Sequence, residues 1–290
     1  MGTSTRFGGP SGGLVPTWAD DPAPAAAPAQ VQPPLAPPGP QPQPTASPPG
    51  AVPAPQIPGQ QVMPSLPGSL RSARRSFNKF AKGGDTRDLG KSLSSYARKG
   101  TGGSQAAARR MGASRAAGAR LLGFVRSVEQ SGAAAALRQF NLEALASQPA
   151  AIVFTALIDF ICPSGGAIEE AIARQAMLGA ISDFADSGLT DFDTMSNAER
   201  REFFLDFIIR SIEGRIITDI ATRGVASTAS VAAMENMQQQ LHDFVDGHTR
   251  GSLGTMIDGP ANASDADMLN TIDAIYEAGF ELLGLLGDAE

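Results

Sequence analysis

The chain has 290 residues, 42% of them hydrophobic and 18% charged, with a formal net charge of −6 and a single cysteine, Cys162. One cysteine excludes an intramolecular disulfide. No run of about 18 apolar residues occurs, which excludes a membrane-spanning helix as an expectation.

Nineteen of the 22 prolines lie in residues 1–70, leaving Pro149, Pro163 and Pro260 beyond. The foldable part is therefore about 200 residues, enough for one sizeable helical core. The modest net charge hides a strong asymmetry. Residues 71–126 carry 14 Lys/Arg against Asp85 and Asp88, a net of +12, and residues 127–290 carry 8 Arg against 25 Asp/Glu, a net of −17. Four regions follow: a presented N-terminal motif (1–22), a disordered Pro-rich linker (23–68), a basic helical segment (69–126) and an acidic all-α bundle (127–290).

The first region opens Met1-Gly2-Thr3-Ser4. A small second residue permits removal of the initiator Met and exposes the α-amine of Gly2, whose reference pKa of about 8 leaves a fair fraction neutral and nucleophilic. Myristoylation would require Ser or Thr at position 6, where this chain has Arg6. There is no basic stretch followed by an apolar stretch of the secretory kind, so the expected compartment is the cytoplasm. Leu14, Val15 and Trp18, the only Trp, form a short apolar cluster before Asp20 and Asp21. An exposed Trp in a flexible setting tends to find a pocket, so this cluster is a candidate partner-binding motif. Residues 23–67 are Pro, Ala and Gln with almost no charge. Such a composition cannot bury enough apolar surface to fold and acts as a spacer of about 140 Å when fully extended.

In the basic segment, Ser69 or Ser72 is placed to cap a short helix that Gly83 and Gly84 end. Asp85 caps a second, over 86–99, with Leu89, Leu93 and Tyr96 on one face. A third stretch, 104–127, carries Arg109, Arg110 and Arg115. Those three arginines are candidates for contact with a nucleic-acid backbone. Pairing of the basic segment with the acidic body, or with an acidic partner, competes with that reading.

The body reads as helices throughout. Expected segments are 142–147 after Asn141, 150–161 with Pro149 in its first turn, 167–186, 198–223 behind a Ser196/Glu199 capping box, 226–245 ended by Asp246-Gly247, and 265–286 capped by Ser264. Segment 150–161 is apolar nearly all round, which predicts a central position. Strand-like alternation is absent, so the fold class is all-α, an irregular helical bundle preceded by a long disordered Pro/Gly-rich arm. His242 and His248 have H-x5-H spacing, a poor match to metal ligands on a helix, and are expected at the surface. Cys162 has no nearby His and is expected to be a small buried residue. No nucleophile–base pair, metal constellation or phosphate loop is evident, so the chain is expected to be a binding scaffold with no catalytic residues, metal or resident cofactor.

Three stretches together resemble a known family: Met-Gly-Thr-Ser with Leu14-Val-Pro-Thr-Trp-Ala-Asp-Asp, Phe77-Asn-Lys-Phe with Gly83-Gly-Asp-Thr-Arg-Asp-Leu-Gly-Lys-Ser-Leu-Ser-Ser-Tyr-Ala-Arg, and the Gly/Ala/Arg run that follows. That family is QatB, the non-enzymatic component of bacterial Qat anti-phage defence systems, and the resemblance spans all but the Pro-rich spacer. It implies an adaptor with three partners: an ATPase, a QueC-like enzyme of deazaguanine chemistry and a TatD-like nuclease. It further implies that Gly2 could carry a covalent 7-deazaguanine derivative, with Thr3 and Ser4 in the enzyme's cleft.

Overall fold

The computed structural model describes residues 68–163, 165–186, 188, 191–220, 231–257 and 264–287. Residues 1–67, with the expectations that fall on Gly2, Thr3, Ser4, Leu14, Val15 and Trp18, lie outside the described residues. The fold is all-α: α1 (Arg71–Ala81), α2 (Thr86–Ser95), α3 (Ser104–Arg109), α4 (Gly112–Ser131), α5 (Ala133–Arg138), α6 (Ala150–Ile161), α7 (Ile168–Asp186), α8 (Asn197–Ile220), α9 (Val231–Gly254) and α10 (Asp265–Leu285). Among the described residues there is no strand, only an isolated antiparallel bridge between Pro149 and Asp191.

Local chemistry explains most boundaries. Gly83, at φ 94°, lets α1 stop and turn back. Asp85 then caps α2 by accepting from the Asp88 amide. α2 continues as one wide π turn, Tyr96–Gly100, which ends at the positive-φ glycines Gly102 and Gly103. The Ser196/Glu199 capping box is formed at α8, and Ser264 forms another with Asp267 at α10.

Three expectations changed. Segment 142–147 is not a helix but a single 3-10 turn, Glu143–Leu145, because Asn141 is left-handed at φ 58° and breaks the helical path. α9 does not end at Asp246-Gly247 but runs through Gly247 to Gly254, with Arg250 bonded to Asp246 one turn away. The most buried helix is α8 rather than α6. Phe203, Phe204, Phe207, Ile208, Ile209, Ile212 and Ile216 of α8 are all essentially inaccessible. On α6, Ile152 and Phe160 are half exposed.

α8 packs along α7, α9 and α4, and α10 closes over α3, α4 and α2. An aromatic cluster joins the elements on one side. Phe154 of α6 stacks on Phe203 at 3.8 Å and meets Phe184 and Phe192 edge-on, while Phe192 in turn stacks on Phe124 of α4. One continuous core runs from Leu70 to Leu283. The charge boundary at 126/127 falls inside α4, so the basic and acidic regions share that core.

Candidate functional site

Two polar clusters are built into the bundle. The first is a buried ionic knot between α8 and the basic helices. Residues 211–220 of α8 place Ile212, Ile216 and Ile220 in the core, with Arg215 and Asp219 one turn apart between them. Arg215, only 1% exposed, donates from Nε to Asp219 Oδ2 at 3.2 Å and from Nη1 to Glu169 Oε1 at 3.2 Å. The Tyr96 hydroxyl donates to the same Asp219 oxygen at 2.8 Å, and Arg110 approaches it at 3.7 Å. Arg74 donates to the Asp219 backbone carbonyl at 2.8 Å. Burial, with the Asp219 carboxylate alongside, holds the Tyr96 phenol well above the ordinary tyrosine range. Arg215, Asp219, Tyr96 and Arg110 are buried, so the knot ties the basic segment to α8.

The second cluster borders a groove of about 650 Å³ between α7, α8 and α9. Its lining includes the apolar Ile168, Ile172 and Ile217 and the polar Gln238, Gln239 and His242. His242 Nδ1 lies 3.0 Å from Glu213 Oε1, and this bond raises the imidazole pKa above its ordinary value. Burial raises Glu213 as well and pushes the neighbouring Asp206 up to about 6. Arg210 bridges Asp206 and Asp183, and Arg250 bridges Asp206, Asp246 and Glu202. Ligand atoms of Asp183, Asp206 and His242 come within 4.8 Å of one another, a spacing a divalent cation could span. The donor set fits such an ion poorly. Both carboxylates already face guanidinium groups, and His242 turns Nδ1 to Glu213. The groove is a slot of mixed apolar and polar lining suited to a peptide or helix edge.

Of the three arginines singled out in sequence, only Arg109 is exposed, bonded to Gln105. Arg110 is buried against Asp219, and Arg115 forms a two-pronged ion pair with Asp273 of α10. His248 is exposed and bonded to the Phe244 carbonyl, whereas His242 is half-buried and ion-paired, which its spacing did not reveal. Cys162 is buried, and desolvation pushes its thiol up to about 12, away from nucleophilic use. A readable signal for both clusters existed in opposite charges four residues apart on one helix: Asp206/Arg210, Arg215/Asp219 and Asp246/Arg250.

The family model of the Qat anti-phage system associated protein QatB matches residues 102–283. The chain belongs to the QatB family. The match covers α3 to α10, including the groove and the α8 side of the knot, and starts after α1 and α2. No curated protein matches the chain. No solved structure matches it either. It is thus a Qat anti-phage system component, and no described helix is long and apolar enough to cross a membrane.

Proposed function

We propose that this chain is a cytoplasmic adaptor of its Qat system that performs no catalysis itself. Its helical body binds the partner ATPase, and its N-terminal Gly2 is the acceptor for a deazapurine delivered by a QueC-like enzyme. The family match over the body, from 102 to 283, carries this reading. The α7–α8–α9 groove supplies the body with a slot of suitable size for a partner segment. The chemistry of the groups within reach points the same way. The one thiol is buried and protonated, and His242 is engaged by Glu213 rather than poised beside a hydroxyl.

In the modification step, the deazaguanine carboxylate attacks the α-phosphorus of ATP, forming the acyl-adenylate and releasing pyrophosphate. The neutral Gly2 amine attacks the carbonyl carbon, an amide bond forms, AMP leaves and the amine loses one proton to solvent. Thr3 and Ser4 are small enough to follow Gly2 into a narrow cleft, and Leu14, Val15 and Trp18 grip the enzyme nearby. Residues 23–67 supply reach, and a TatD-like nuclease completes the system.

Intact mass of the full chain, expressed with and without the QueC-like partner, tests the proposal. The expected result is an added deazaguanine mass on a peptide beginning at Gly2, lost in Gly2→Pro. An unmodified N-terminal peptide in the presence of the active enzyme would refute the modification. Failure of residues 68–290 to bind the ATPase would separately refute the anchoring role.

A further inference from the structure

The basic segment divides by helical phase. On α1, Ala73, Phe77 and Phe80 face the core, and Arg71, Arg75 and Lys82 fall on the opposite, exposed side. On α2, Leu89 and Leu93 face the core, and Arg87 and Lys91 are exposed one turn apart. The two helices pack against each other as a hairpin. Ser92 donates to the Ala73 carbonyl, Ser72 meets Ser95, and Lys79 bonds Asp88. With those contacts along the seam, the two rows of cations lie on the same outer surface. Lys99, in the π turn after α2, is also exposed. Between residues 68 and 100 the sole exposed acid is Asp85, because Asp88 is buried and bound by Lys79.

We propose that this α1–α2 face binds the phosphate backbone of duplex nucleic acid. Three observations select that occupant. First, six exposed cations, Arg71, Arg75, Lys82, Arg87, Lys91 and Lys99, share residues 68–100 with a single exposed acid, Asp85, on a chain whose remainder is strongly acidic. Second, the α1 row has no exposed apolar anchor of its own, since Phe77 and Phe80 are buried and the half-exposed Phe160 and Leu178 lie on α6 and α7; only at the α2 end do cations, Arg87 and Lys91, border apolar groups, Phe244 and Leu286. Protein partners are held by buried aromatic or aliphatic anchors and select against Lys, whereas backbone-binding surfaces are polar and positive. Third, the aromatics of α1, α2 and the π turn, Phe77, Phe80 and Tyr96, are all buried, so these elements offer single-stranded bases no ring of their own to stack on. Charge rows without stacking groups suit the regular phosphate lines of a duplex, and recognition is independent of sequence. This face lies outside the family match at 102–283, and the inference stands apart from the Gly2 reading.

The test is fluorescence anisotropy of the full chain with a labelled duplex of about 20 base pairs, titrated in salt. Contact through about six cations predicts a log–log salt slope near −5, a loss of roughly a thousandfold in affinity between 50 and 200 mM. Arg71→Gln, Arg75→Gln and Lys91→Gln combined should weaken binding at least tenfold and flatten the slope by about 3. These positions are exposed, so unchanged circular dichroism and melting should accompany the loss. Arg138→Gln, exposed on α5, should change affinity less than twofold. DNA and RNA duplexes run in parallel identify the natural source of the backbone. The proposal is overturned by absence of binding at 50 mM salt, by equal binding of the triple variant, or by tighter binding to single strands. Polyglutamate bound as tightly as the duplex would place an acidic protein on this face and overturn it equally.

Discussion

Asp219 is the residue on which the attachment of the basic helices turns, and Asp219→Ala measures that attachment. Its carboxylate accepts from the Tyr96 hydroxyl at 2.8 Å and Arg215 Nε at 3.2 Å, with Arg110 at 3.7 Å. Truncation leaves the Tyr96 hydroxyl, 1% exposed, with no acceptor, a cost of about 1–3 kcal/mol. It also leaves Arg110 and Arg215 facing each other in the interior, with Glu169 as the remaining anion on Arg215. Removing one partner of a buried ion pair costs about 3–5 kcal/mol, and the whole change should fall in that range because Glu169 compensates part of it. Urea denaturation followed by circular dichroism reads the cost as a lower midpoint at unchanged slope. Asp159→Ala is the internal reference. It breaks the Arg174–Asp159 pair, whose side chains are 34% and 74% exposed, and should cost at most about 1 kcal/mol. Tyr96→Phe combined with Asp219→Ala should be less costly than the two separately, because both remove one bond. Native-state hydrogen exchange should show α1 to α3 losing protection ahead of α6 and α7. An Asp219→Ala cost no larger than that of Asp159→Ala would refute the reasoning.

Three further outcomes are expected. Asp206 has a folded pKa of about 6 against 3.8 for the free group, raised by burial, so its contribution is full below pH 3.8 and is lost as pH rises through 6. Glu213 and His242 are also raised and act with the same sign, so the protein should melt higher at pH 5.5 than at pH 8. Asp206 supplies about 1 kcal/mol of this, or roughly 2–4 °C, and calorimetry of Asp206→Asn should show that part gone. Gly247→Ala with Gly251→Ala should stabilise the fold by about 1–2 kcal/mol, since both lie inside α9 with open space where a Cβ would stand; destabilisation in a thermal melt would mean that the helix stops at Gly247. Phe203→Ala should cost about 3–5 kcal/mol in the same denaturation assay, because it removes the ring stacked on Phe154 at 3.8 Å in the aromatic cluster.

Helix positions were legible because the signals are local. Asp85, Ser196 and Ser264 sit where caps belong, and α6 follows Pro149 with bounds set by its own composition. The rank of the helices was not legible. α6 has the higher mean hydropathy, yet α8 is the more buried. Its polar residues Asp206, Ser211, Glu213, Arg215 and Asp219 are inside because partners from other helices satisfy them: Tyr276 bonds Ser211, His242 bonds Glu213, and Tyr96 bonds Asp219. Hydropathy counts such residues as surface, since their partners lie 29 to 123 positions away in the chain. The groove was hidden for the same reason. His242 and Glu213 belong to separate helices, and no spacing rule joins them.

The charge asymmetry gains a different meaning once helical phase is included. A net of +12 over residues 71–126 beside −17 over residues 127–290 suggests one segment held wholesale against the other. Surface attraction of that kind would be weak, because exposed pairs at ordinary ionic strength contribute little. The structure instead draws selected arginines inward. Arg74, Arg110 and Arg115 end on Asp219 and Asp273, and Arg126 on the Ile257 carbonyl; Arg110 and Arg126 are buried there, and Asp219 with them. The cations on the outer phase of α1 and α2 take no part in that attachment. A segment can thus be tied to an acidic body and still present a positive face, since side chains about half a helical turn apart point in opposite directions.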